Sequence, residues 1–215
     1  MRYIAALDYD HLDNGMFLTS FARSLSRQQG VQPIVIHSDS EYTERIIQTG
    51  VMRDEARIRS IKDLNHRLVA LFADQGVSTV GINGYQRKLI TLSDGELTLD
   101  RAYFNRLPYP SVLLFSSLVL NTDTEQIVPV PLPDLARLFQ NSLEQAELFI
   151  FSSSDSDELF TKEEKPAAMQ WDTLDDDFAK RYIPKEFHEY GHPLRLTTAR
   201  EFHQIPVLKQ TSLIR

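Results

Sequence analysis

Two spacings of apolar residues alternate along the chain, namely short continuous runs and longer segments with helical periodicity. Continuous apolar runs predict buried strands at 3–7, 33–36, 77–82, 110–120 and 148–151. Helical spacing predicts helices at 16–29, 53–75 and 133–145, and Gly30 and Gly76 follow the first two as stop signals. Strands that alternate with helices and are apolar throughout predict an α/β fold, a three-layer sandwich with a largely parallel sheet.

Weaker patterns complete the predicted order of elements. Residues His37 to Ser40 can cap a helix that runs through Ile46 and Ile47 to Gly50. A turn at Ser93-Asp94-Gly95 predicts a hairpin over 86–100, and two final strands are expected at 194–198 and 206–214.

A chain of 215 residues is the length of one domain. We expect a single domain over 1–215, with an N-terminal part at 1–151 and a reduced C-terminal part at 152–215. Within the second part, residues 152–186 are acidic and polar with only patches of apolar residues. We interpret this segment as an excursion over the surface.

Composition excludes several classes of function. The chain has no cysteine, which removes thiol nucleophiles and thiolate metal sites. Its net charge of −7 gives no basic field for nucleic acid or an anionic membrane. Glycine occurs 8 times and never at adjacent positions, so phosphate-binding loops of the Walker and dinucleotide types are absent. Without a signal-peptide pattern or a membrane-spanning apolar run, a cytoplasmic protein is expected.

Several short motifs occur in the order found in a known family. They are Pro33-Ile34-Val35-Ile36-His37-Ser38-Asp39-Ser40, Asn65-His66-Arg67-Leu68-Val69, Val80-Gly81-Ile82-Asn83-Gly84 and Tyr109-Pro110-Ser111-Val112. With the hairpin between the last two, they resemble the amino-acid kinase family, most closely its acetylglutamate kinases. Weaker matches at 146–151 and 211–214 extend the resemblance over most of the chain.

The resemblance implies a ligand site and an oligomeric state. It implies ATP and Mg²⁺ as cofactors of a phosphotransferase that acts on an amino-acid-derived carboxylate, and a homodimer paired through helices such as 53–75. The candidate ligand-binding residues follow the matched strands or precede the long helix: Asp8, Asp10, His37, Ser38, Asp39, Asn83, Gly84 and Arg53. The family's substrate arginine lies before the long helix, so the resemblance implies that Arg53 holds a substrate carboxylate, although the local motif around it is not preserved.

The sequence departs from the family at the positions that handle phosphate. Ala6-Leu7-Asp8-Tyr9 replaces a Lys-x-Gly-Gly motif, and His37-Ser38-Asp39-Ser40 replaces a His-Gly-Gly-Gly loop. The family's Asn-x-x-x-Asp motif has no counterpart here, although Asp134 lies nearby. The family's late lysine has no clear counterpart either, because the nearest candidates, Lys162 and Lys165, have no motif around them. Glycines let backbone N–H groups approach phosphate, and lysine neutralises the transferred charge. We therefore expect a truncated, degenerate relative that is not an active kinase.

Carboxylates are expected to meet at one edge of the sheet. Asp8, Asp10, Asp13 and Asp39, with His37, follow two strands that we predict to be adjacent. Such a cluster could hold Mg²⁺, Ca²⁺ or a cationic ligand, or its members could be helix caps and turn residues. If these carboxylates converge, they repel one another, and we predict that Asp8→Asn with Asp39→Asn leaves the fold intact and at least as stable in metal-free buffer.

His188-Glu189-Tyr190-Gly191-His192 matches the H-E-x-x-H motif of zinc hydrolases. Zinc would need His188 and His192 on one face of a continuous helix. Pro193 disfavours helical backbone at His192, so the alternative is a short surface helix that ends there.

Three hypotheses for function remain open. The first is a non-catalytic or repurposed protein, a pseudoenzyme that binds a small molecule or a partner protein and needs no cofactor. The second is a surviving phosphotransferase that uses ATP and Mg²⁺. The third is a zinc hydrolase built on His188 and His192.

Overall fold

A computed structural model describes residues 2–40, 53–144, 146–152, 168–204 and 212–215. The elements are numbered below in chain order. The strands are β1 Arg2–Leu7, β2 Gln32–His37, β3 Thr79–Asn83, β4 Ile90–Ser93, β5 Glu96–Leu99, β6 Val112–Ser116, β7 Leu118–Asn121, β8 Gln126–Pro129, β9 Glu147–Phe151, β10 Ala168–Met169, β11 Leu194–Thr197 and β12 Ser212–Ile214. The helices are α1 Tyr9–Leu12, α2 Gly15–Arg27, α3 Arg53–Asp74, α4 Arg101–Phe104, α5 Leu132–Ser142 and α6 Asp176–Tyr182.

The main sheet is largely parallel, as the apolar strands predicted. Its order within the described residues is β10-β12-β11-β9-β1-β2-β6-β3. The six strands from β11 to β3 in that order pair in parallel, and β12 runs antiparallel to β11. The carboxyl ends of the six parallel strands therefore lie at one edge of the sheet, which we call the carboxyl edge.

Helices cover both faces of this sheet. On β1, Tyr3 and Leu7 pack in one cluster with Phe21 of α2, whereas Ile4 packs in a second cluster with Phe139 of α5. The alternation of side chains along a strand divides β1 between these two clusters. Two apolar clusters separated by a sheet make the three-layer α/β sandwich that the sequence predicted.

The predicted strand at 110–120 is two strands in two different sheets. β6 belongs to the main sheet, and β7 belongs to a smaller sheet of order β5-β4-β7-β8. The hydroxyl of Ser116 accepts a hydrogen bond from the backbone N–H of Leu118 at 3.4 Å. Such a local bond competes with the strand ladder, and the chain changes sheets at Ser117.

Other predicted elements agree with the structure where it describes them. The hairpin is β4 and β5, and helices 16–29, 53–75 and 133–145 correspond to α2, α3 and α5. The helix expected through Ile46 and Ile47, and most of 206–214, lie outside the described residues. Among the helices of the described residues, none has the length and apolar character needed to span a membrane.

Candidate ligand site at the carboxyl edge

Buried polar side chains line the carboxyl edge of the sheet. They stand at or directly after the ends of β1, β2, β3, β6, β9 and β11, and each is at least nine-tenths buried: Asp8, His37, Ser38, Asn83, Ser116, Ser117, Ser152 and Thr197. Ligands of open α/β sheets bind at this edge. Most buried polar groups in proteins have hydrogen-bond partners, so each of these side chains can be assessed by what it contacts.

Asp8 is fully engaged by its own segment of the chain. Its Oδ1 caps α1 by accepting the N–H groups of Asp10 at 3.0 Å and of His11 at 3.3 Å. Its Oδ2 pairs with Nδ1 of His11. Asp8 is thus the helix cap that the sequence left open as an alternative, and both of its carboxylate oxygens contact protein groups.

His11 links the first strand to the end of β9. While Nδ1 faces the Asp8 carboxylate, Nε2 donates to the backbone carbonyl of Ser152 at 2.9 Å. Both ring nitrogens of this buried histidine therefore have protein partners. The ring also packs against Phe17, with centroids 4.1 Å apart.

His37 is completely buried and acts as a neutral structural group. Its Nδ1 donates to the carbonyl of Ser38 at 2.9 Å, which leaves Nε2 to accept from the Asn65 amide at 3.0 Å. Burial lowers the pKa of His37 from 6.5 to about 4, against smaller opposing effects of the Ser38 bond and of Asp39. This sequence-predicted site residue therefore ties β2 to α3.

Ser38 and Asp39 connect the end of β2 to α3 and β6. The hydroxyl of Ser38 donates to Oδ1 of Asp39 at 3.0 Å and receives a 3.4 Å bond from Ser117. Oδ2 of Asp39 accepts from Nε of Arg57 at 2.7 Å. Arg57 thus compensates the charge of Asp39, which stands in the loop where the resembled family has glycines.

Asn83 and Gly84 end β3 and have structural contacts, whereas Arg53 is exposed. Oδ1 of Asn83 accepts from the Ser116 hydroxyl at 2.8 Å. A Cβ on Gly84 would lie 2.9 Å from the carbonyl oxygen of Leu118, so close packing requires glycine there. Arg53 is the first residue of α3.

Three of the four aspartates expected to converge, namely Asp8, Asp10 and Asp39, lie close enough to act electrostatically on Glu186, a residue that sequence reasoning missed. The carboxylate of Glu186 accepts the N–H of Tyr9 at 3.1 Å. Although Glu186 is an exposed residue, partial burial of its carboxylate raises its pKa, and repulsion from Asp8, Asp39 and Asp10 adds to this. Glu186 comes from the polar C-terminal part, and no motif around it indicated this position.

Thr197 is another missed residue at this edge. Its Oγ1 is buried, and no residue in the described ranges supplies a hydrogen-bond partner for it. The neighbouring backbone is paired, because the N–H of Ser152 donates to the carbonyl of Thr197 at 2.9 Å. A buried hydroxyl without a partner is a group that a ligand or water could satisfy.

The two histidines of the H-E-x-x-H motif do not share a helix. A 3₁₀ turn at Lys185–Phe187 ends at His188, and the following residues form turns. Nε2 of His188 donates to the carbonyl of Ile183 at 3.0 Å. No group of three or more histidine, aspartate or glutamate side chains in the described part of the chain could hold a metal ion. Metal binding by His188 and His192 stays a prediction.

Comparison with known proteins gives similar folds without similar sequences. No family model matches the sequence, and neither does any curated protein. An isopentenyl phosphate kinase structure matches with a TM-score of 0.64 and 12% identity over 100% of both chains. Aspartate kinase from Synechocystis matches with a TM-score of 0.68 and 13% identity, over 92% of this chain and 38% of that one.

A third similar structure is N-acetylglutamate synthase from Neisseria gonorrhoeae, with a TM-score of 0.64 and 15% identity over 99% of this chain and 59% of that one. The chain thus spans less than two thirds of the aspartate kinase and of this synthase. Identities of this size establish the fold alone. The protein therefore has the fold of the amino-acid kinases.

Proposed function

We propose that this protein is a repurposed member of the amino-acid kinase fold that binds a small molecule at the carboxyl edge and does not transfer phosphoryl groups. The single observation that carries the proposal is the position of the Asp8 carboxylate. Its buried carboxylate stands at the end of β1, where the resembled family has glycines beside phosphate, and both of its oxygens are held by neighbouring residues.

Electrostatics support this assignment. Glu186 lies close enough to Asp8, Asp39 and Asp10 for their repulsion to raise its pKa, so several carboxylates face the same region. One carboxylate about 5 Å from a phosphate charge, at an effective dielectric near 20, costs about 3 kcal/mol. A ligand with a cationic or neutral polar group fits this edge better than a nucleoside triphosphate does.

Two buried groups would position such a ligand. Thr197 offers a hydroxyl without a partner among the described residues, and His11, held by Asp8, fixes the backbone of Ser152 beside it. Rigid polar groups around a site lower the entropic cost of binding. No metal or nucleotide is part of this proposal.

The experiment is a ligand screen read by amide chemical shifts. Compounds with cationic or neutral polar groups are titrated into isotopically labelled protein. Binding that shifts the amides of Ser38, Ser152 and Thr197 supports the proposal. Ligands that shift amides only elsewhere on the molecule would contradict it. In parallel, labelled ATP, Mg²⁺ and acetylglutamate should give no labelled product.

A second candidate function is ATP-dependent phosphotransfer, and one observation favours it. The match to an isopentenyl phosphate kinase covers the whole of both chains, so this chain has a counterpart for every part of that kinase's fold. A labelled product in the transfer assay, with acetylglutamate or with isopentenyl phosphate, would favour this candidate over the first.

We also propose that the protein is a homodimer paired through α3. The proposal rests on the resemblance to the amino-acid kinases, whose subunits pair through helices beside the sheet. Sedimentation at tens of micromolar is the test, and a strictly monomeric mass would contradict it.

A further inference from the structure

A cleft of about 280 Å³ lies at the amino edge of the sheet, opposite the carboxyl edge. It is lined by Arg2 at the start of β1, by Arg101 and Phe104 of α4, and by residues at the end of α5. None of these residues belongs to the site described above. The cleft thus brings two guanidinium groups from distant parts of the sequence to one place.

Arg2 is held in a fixed position by uncharged partners. Its Nε donates to Gln32 at 3.0 Å, and its Nη1 donates to Asn105 at 3.3 Å. The guanidinium lies 5.2 Å from the ring centroid of Phe104. Within the described ranges Nη2 has no hydrogen-bond acceptor. Arg2 is therefore rigid, charged and only partly used, which are the features of a preorganised anion-binding group.

Arg101 is the second uncompensated cation of the cleft. Its Nη2 donates to the backbone carbonyl of Asn141 at 3.3 Å. No carboxylate of the described residues lies within ion-pair distance of either arginine, although Glu144 also lines the cleft. Two cations that share a cleft repel each other unless an anion lies near both.

The cleft adjoins a larger groove, with which it shares two lining residues. Arg101 and Ser142 line both the cleft and a groove of about 650 Å³ between the β4–β5 hairpin and α5. The walls of this groove include Leu97, Leu99 and Leu138, and the charged residues Glu96, Asp134 and Arg137 also line it. Its volume lies within the range of about 300–1,000 Å³ that is typical of ligand pockets.

We propose that this surface binds a small organic anion, with its phosphate or carboxylate group between Arg2 and Arg101 and its apolar part in the groove along α5. The site is separate from the carboxyl edge, and the proposal does not depend on the proposed function. The ligand is defined by its chemistry alone. Two probes therefore test the site, namely an anion that carries an apolar group and the same anion without one.

Calorimetry with phenyl phosphate and with inorganic phosphate tests the proposal. We expect phenyl phosphate to bind the parent protein more tightly than inorganic phosphate does. Arg2→Gln and Arg101→Gln should each weaken phenyl phosphate binding about tenfold or more, because each removes a charge-assisted hydrogen bond. The control is Arg106→Gln, which makes the same change of charge at an exposed residue that does not line the cleft.

A further variant separates the two halves of the site. Leu97→Ser should weaken binding of phenyl phosphate and leave that of inorganic phosphate unchanged. Arg101 is exposed, so its variant is expected to fold even if the Arg2 variant does not. The proposal is overturned if phenyl phosphate does not bind the parent, or if Arg101→Gln and Arg106→Gln bind it equally well.

Discussion

The Asn65 amide donates a 3.0 Å hydrogen bond to Nε2 of His37, and the same amide nitrogen lies 3.3 Å from the carbonyl of Leu114. One side chain on α3 therefore satisfies a histidine at the end of β2 and a backbone acceptor on β6. The bond requires an unprotonated Nε2, because a protonated ring nitrogen cannot accept. The helix and two strands that frame the carboxyl edge are thus joined by a contact that depends on the charge of His37.

Acid should destabilise the protein through His37. Its pKa is 6.5 when unfolded and about 4 when folded, so the unfolded chain takes up a proton first as the pH falls. The contribution of neutral His37 to the free energy of unfolding is therefore fully present above pH 6.5 and is lost between that value and about pH 4. The loss is about 3 kcal/mol.

Denaturant unfolding at several pH values measures this effect. We expect His37→Asn to lose less stability than the parent over the acidic range. His66→Asn, on the exposed face of the same helix, should keep the parent's pH dependence. Equal pH dependence in the parent and in His37→Asn would show that His37 is not the responsible group.

Removing the Asp8 side chain should be costly. Asp8→Ala deletes a helix cap and leaves Nδ1 of the buried His11 ring without its partner, and we expect it to lower the free energy of unfolding by about 2–4 kcal/mol. Asp8→Asn keeps an oxygen for the cap and should cost less. Chemical denaturation of the two variants compares them, and equal losses would contradict the capping role.

The structure changes one expectation for the acidic cluster. The sequence predicted that Asp8→Asn with Asp39→Asn leaves the protein at least as stable. Both aspartates have protein partners, so we now expect a loss. The Asp39–Arg57 part is at most about 1 kcal/mol, because those side chains are 21% and 43% exposed. A double variant as stable as the parent would restore the original expectation.

A side chain at Gly81 should disturb the contact between α3 and the sheet. A Cβ there would lie 2.5 Å from Oδ1 of Asn65 and 2.9 Å from Cγ2 of Val69. We expect Gly81→Ala to cost about 1–3 kcal/mol, because both groups belong to a packed helix. Gly15→Ala is the matched control, since nothing lies within 4 Å of a Cβ at that position. Thermal unfolding of both variants is the measurement, and equal midpoints would contradict this account.

Much of the fold could be predicted because its signals are local. The apolar runs that became β1, β2 and β9 are buried on both faces, so no alternation is needed to recognise them. The change of sheets at Ser117 could not be predicted, because it depends on a bond between Ser116 and its own backbone inside an apolar run. The contact between Glu186 and Tyr9 could not be predicted either, because the two residues lie 177 positions apart in the sequence.

The sequence predicted which polar residues stand at the carboxyl edge, but not which groups they contact. Asp8, His37 and Asp39 do lie at one edge, because the ends of parallel strands meet there. Their partners could not be predicted. His11, Asn65 and Arg57 lie on helices, and the sequence does not show which rotamer each side chain adopts. Those partners turn a predicted cation site into a set of largely satisfied groups.

The central claim is that the carboxyl edge does not accept a nucleotide, and calorimetric titration with ATP, with and without Mg²⁺, tests it most directly. Carboxylates at Asp8 and Asp39 stand where glycines would approach phosphate in the resembled family, and these carboxylates contact protein groups. We predict no saturable heat of binding up to about 1 mM ATP, which corresponds to less than about 4 kcal/mol of affinity. A dissociation constant in the micromolar range with Mg²⁺ would contradict the account and favour the phosphotransferase.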